Sequence, residues 1–78
     1  ILIDEIENNL DYLINDQNER GLTLAVHPYI YAFITKGLLS HQMRWYQNYK
    51  RWIKVCSEKD YQIMQFQFRN KNGNVLKH

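Results

Sequence analysis

Apolar residues in the first quarter of the chain recur at three- and four-residue steps. Leu2, Ile3, Ile6, Leu10, Leu13 and Ile14 fall in one stripe, which predicts an amphipathic helix over residues 2–18. Tyr12 points away from that stripe, and Gly21 is a natural stop. The period then changes to two. Leu22, Leu24 and Val26 share one side of a half-buried strand over 22–27, which His27-Pro28 ends. Proline is pre-set for the first turn of a helix, so a short helix is expected over 28–36, closed by Gly37. Ser40 is a cap for a further helix over 40–50. On that helix Leu38, Leu39, Met43, Trp45, Tyr46 and Tyr49 sweep an apolar arc, opposite Ser40, Arg44, Gln47, Asn48 and Arg51.

Two strands complete the pattern, over 51–57 and 61–69, with the polar run Ser57-Glu58-Lys59-Asp60 turning the chain between them. Met64, Phe66 and Phe68 alternate with Ile63, Gln65 and Gln67, so the Gln side is expected to be wet. Asn72-Gly73 is a hairpin signal that lets Asn74–Leu76 fold back. The order α-β-α-α-β-β predicts an α+β fold, a small sheet with helices packed on one face. A chain of 78 residues fits a single domain over 1–78 with a thin core.

Composition adds little to that picture and excludes some of the alternatives. Eleven aromatic residues among 78, with only three Gly and one Pro, argue against low-complexity disorder. No apolar run approaches the ~20 residues of a membrane span, and no targeting segment is visible, so a cytoplasmic protein is expected, with Ile1 read as a cut end. A lone cysteine, Cys56, rules out an internal disulfide and any multi-cysteine zinc site. Charge is unevenly spread. Residues 1–20 carry six acids against Arg20, and residues 21–78 carry nine Lys or Arg against Glu58 and Asp60. Such asymmetry suits either a polyanion-facing surface or an acidic helix lying beside a basic body.

The search for catalytic chemistry is largely negative. His27, His41 and His78 are too scattered for a metal motif; His27 is expected to orient its turn and His41 to lie on the polar side of its helix. A hydrolase using His27 and Cys56 requires those two side chains to meet. No Gly-rich phosphate loop or nucleophile elbow is present. The basic residues Lys36, Arg44, Lys50, Arg51 and Lys54, with Gln47 and Asn48 among them, are the candidate contacts for RNA phosphates. Trp45, Tyr46 and Tyr49 could stack on unpaired bases, but their spacing suits core packing first.

Several segments together resemble a known family. Ile6-Glu7-Asn8, Val26-His27-Pro28, Lys36-Gly37-Leu38, the stretch Trp45 to Trp52, and Asn72-Gly73 are similar to the small C-terminal domain of the RNase E/G endoribonucleases. The nearest likeness is to ribonuclease G-type proteins of the Bacteroides group. The resemblance covers nearly the whole chain and implies a structural and oligomerisation role in an enzyme that cleaves single-stranded RNA. It further implies a parent with a large nuclease domain, a magnesium-binding Asp pair and a Cys-Pro-x-Cys zinc link between subunits, none of which lies in this sequence. The fragment alone is then expected to be inactive, with partners in the large domain and in further copies of the parent. Tyr12 and Trp45 are the docking contacts expected from the sequence. A stand-alone RNA-binding module using the basic face of the 40–50 helix is the alternative.

Overall fold

A computed structural model describes residues 2–76. Helix α1 (Leu2–Asp11) buries Leu2, Ile6 and Leu10, the residues that its sequence places one turn apart. Asp4 and Glu5 occupy its first turn, where the helix dipole favours negative charge. The helix continues as a wider π turn (Tyr12–Asp16) that keeps Leu13 and Ile14 buried. Gln17 N–H donates to Tyr12 O, and Asn18 takes a positive φ of 53°. Asparagine tolerates that left-handed conformation, so the chain leaves the helix slightly before the expected residue 18.

Strand β1 (Thr23–Val26) is central in a four-stranded sheet of order β2-β1-β3-β4, with β2 (Lys54–Ser57), β3 (Phe66–Arg69) and β4 (Val75–Leu76). β2 runs parallel to β1, and β3 is antiparallel to both β1 and β4. A parallel pair needs a crossover, and α2 (Pro28–Thr35) with α3 (His41–Tyr49) supplies it. Register sorts the side chains. Leu24 aligns with Val55 and Phe68, Thr23 with Lys54 and Arg69, and Ala25 with Cys56 and Gln67. Because side chains alternate along strands, Leu24, Val26, Val55, Phe66, Phe68 and Leu76 share one face. That face meets Ile6, Leu10, Leu13, Ile34 and Trp45 in the core, so the α+β fold with helices on one side is as expected.

The Ser40 cap forms as expected, and His27, expected only to orient its turn, caps α2. His27 Nδ1 accepts Tyr29 N–H at 3.0 Å ahead of Pro28, and Ser40 Oγ accepts Met43 N–H at 3.1 Å. The strands are shorter than expected. Residues 51–53 are outside β2: Lys50 ends α3 in a left-handed conformation, and the Arg51 guanidinium is drawn to Glu19 O at 2.9 Å. Residues 61–65 bond to their own turn, Tyr61 N–H to Glu58 O and Gln65 N–H to Gln62 O, rather than to a neighbouring strand. The Asn72-Gly73 hairpin forms, organised by Asn70, whose Oδ1 accepts N–H groups from Asn72 and Asn74.

Helix α3 differs most from its sequence pattern. Its buried residues are Gln42 and Trp45, with Tyr49 half-buried, while Met43 and Tyr46 of the expected apolar arc are exposed, as are Leu38 and Leu39 before it. Each buried side carries a polar atom with a fixed partner. Gln42 Nε2 donates to Ile53 O at 2.8 Å, Trp45 Nε1 donates to Glu7 Oε2 at 3.0 Å, and the Tyr49 hydroxyl donates to Asp11 Oδ1. A polar seam between α3 and α1 therefore overrides the hydropathy pattern.

Candidate binding surfaces

Position decides which expected site residues can act together. Lys36 caps the C-terminus of α2, Arg44 is exposed on α3, and Lys50 is exposed at the end of α3. Arg51 is half-buried, with Nη1 on Glu19 O and Nη2 at 3.4 Å from Asn18 Oδ1, so its charge tethers the loop after α1. Lys54 projects from the opposite face of the sheet to that on which the helices pack. The sheet thus separates Lys54 from Arg44, and the five residues do not form one face.

The two docking contacts expected from the sequence fare differently. Trp45 is 2% exposed and is a core residue, so it offers no docking surface; its indole N–H donates to Glu7 of α1. Tyr12 is exposed, and its hydroxyl accepts from Gln17 Nε2 at 3.0 Å. The histidines are occupied locally. His27 serves as a helix cap, and half-buried His41 lies 5.3 Å ring to ring from Phe33 with Nδ1 3.9 Å from Glu7 Oε2. His41 is therefore beside aromatic rings rather than on an open polar side. No hydrogen bond joins His27 to Cys56 among the described residues, and His78 lies outside them.

Two pKa directions stand out. Burial, then the bond to Asp11, raises the Tyr49 phenol well above its usual value, with Glu7 adding to it. For Arg69 burial is the largest influence and acts against the charge. The Glu58 hydrogen bond, with Tyr61 and Cys56 behind it, outweighs burial and leaves the guanidinium pKa raised.

The exposure of α2 and of the loop after it is not expected from the sequence pattern. Tyr29 is 69% exposed, Phe33 57%, Leu38 91% and Leu39 66%. Leu2, Ile3, Tyr29, Ile30, Phe33 and Met64 line an open apolar groove of about 430 Å³ where α2 lies beside the start of α1. The available signal was in Pro28–Thr35 itself, Pro-Tyr-Ile-Tyr-Ala-Phe-Ile-Thr, which is apolar nearly all round. Such a helix needs cover on more than one side, and a thin core supplies only one.

Among the described residues no group of three or more His, Cys, Asp or Glu is placed to hold a metal ion. No helix among the described residues is long and apolar enough to cross a membrane. Comparison with protein-family models, curated proteins and solved structures returned no match.

Proposed function

We propose that this chain is the small C-terminal structural and oligomerisation domain of an RNase E/G-type endoribonuclease, a cytoplasmic enzyme of RNA processing and decay. The observation that carries the reading is the uncovered apolar face of α2. Tyr29, Phe33 and Met64 stand exposed around one groove in a chain with little core to spare. Contiguous apolar surface of this kind marks a contact with another protein. The nearly chain-long resemblance supplies the occupant, the large nuclease domain of the parent. On this reading magnesium-assisted hydrolysis belongs to that large domain. The residues of this chain contribute position: α2 packs on β2 and α3 and presents the groove.

The test is activity in the full-length protein that carries this segment. With magnesium it is expected to cleave fluorescent single-stranded RNA, while the 78-residue chain alone cleaves none. A full-length protein without ribonuclease activity overturns the assignment.

A further inference from the structure

The face of the sheet turned away from the helices carries a second feature, built from three strands and a hairpin. Thr23 aligns with Lys54 on one side and Arg69 on the other, so Lys54, Thr23 and Arg69 form a row across β2, β1 and β3. Two strand spacings put the Cα atoms of the two cations about 10 Å apart. The Asn70–Asn74 hairpin brings Lys71 to the same place. Gly21, at a φ of +63°, lies so close to it that an added Cβ would sit 2.7 Å from Lys71 Cβ. The result is an open groove of about 350 Å³ whose lining includes Thr23, Lys54, Arg69, Asn70 and Lys71 and no acidic side chain.

Charge in this groove is only partly balanced. Arg69 Nη2 lies 3.4 Å from Glu58 Oε2 and 3.4 Å from the Tyr61 hydroxyl, which fixes the guanidinium from one side. No ion pair engages Lys54 or Lys71 among the described residues. Three cations, with the Thr23 hydroxyl and the Asn70 amide beside them, match the needs of a phosphate: point charges from lysine, a planar fork from arginine and neutral hydrogen-bonding groups. We infer that this groove is a phosphate-binding site that takes a phosphodiester of a single RNA strand. The phosphate chemistry stands on the groove alone; the RNA source rests on the ribonuclease reading. The site lies across the sheet from the helices and uses Arg69 and Lys71, which the helix-centred set of basic residues does not contain.

The test is a fluorescence-anisotropy titration of the 78-residue chain with a labelled single-stranded RNA 12-mer at two salt concentrations. A parallel NMR titration uses inorganic phosphate. Lys54→Glu and Lys71→Glu are each expected to weaken RNA binding about tenfold or more, the loss of a charge-assisted contact, and to flatten its salt dependence. Arg44→Glu, on the helical side, is expected to change it far less. Circular dichroism of each variant separates lost binding from lost folding, and Lys54→Gln gives a milder second variant. Absence of both RNA and phosphate binding, or RNA binding as strong in both groove variants as in the parent sequence, overturns the proposal. Phosphate binding without RNA binding overturns the RNA assignment. Cleavage by the full-length protein is read separately, so failure here does not stand for failure of the ribonuclease reading.

Discussion

Helices α1 and α2 both bring apolar residues to the same small sheet, yet they use them in opposite ways. α1 has a narrow stripe and buries most of it: Leu2, Ile6 and Leu10 are buried, Ile3 is half-buried, and its polar side supplies Glu7 and Asp11 to α3. α2 is the more continuously apolar of the two and buries only Ile34, leaving Tyr29 and Phe33 in water. The difference teaches that hydrophobicity in excess of what a fold can bury is informative. A helix matched to its core reports on stability, and one that exceeds its core reports on a partner.

Substitutions on the two helices should therefore separate. Ile6→Ala removes a fully buried side chain from α1 and is expected to cost about 2–5 kcal/mol. That lowers the melting temperature by ten degrees or more in a domain of this size. Gln42→Ala leaves the Ile53 carbonyl without its donor and is expected to cost about 1–3 kcal/mol, measurable by urea denaturation.

Tyr49 gives a smaller, pH-dependent effect. Its phenol pKa is raised in the fold, so the folded state holds the proton more tightly than the unfolded chain does. The resulting stability is complete below the unfolded value near pH 10 and is lost as pH rises through the folded one. Melting temperatures taken from pH 8 to 11 should fall less steeply at the alkaline end in Tyr49→Phe than in the parent sequence. Phe33→Ser on α2 should change stability least, by roughly 0.5 kcal/mol. A cost equal to that of Ile6→Ala would erase the contrast between the helices.

Element order, the central strand, the Ser40 cap, the turn at His27-Pro28 and the Asn72-Gly73 turn were legible because each depends on neighbours within a few residues. The buried side of α3 was not. Gln42, Trp45 and Tyr49 are turned inward by acceptors at Ile53, Glu7 and Asp11, two of them 38 residues away. The extent of β3 was overread because alternation continues through 61–65, where the backbone bonds to its own turn. The surfaces were hidden for a similar reason. Lys54 was recognisable as basic, but its grouping with Arg69 and Lys71 needs the strand register and the close approach at Gly21. Exposure of Tyr29 and Phe33 is set by how little core remains to receive them.

On the proposed ribonuclease reading, the α2 groove is covered by the large domain of the parent enzyme. Sedimentation velocity of that proposed parent, with and without Tyr29→Asp and Phe33→Asp, measures this directly. The proposed cover predicts a more slowly sedimenting, extended species of unchanged mass for the double variant, its small domain undocked, while the same two changes leave the 78-residue chain folded with its melting temperature nearly unaltered. Unchanged sedimentation of the double variant would contradict it, since a covered groove cannot accept two carboxylates without losing its partner.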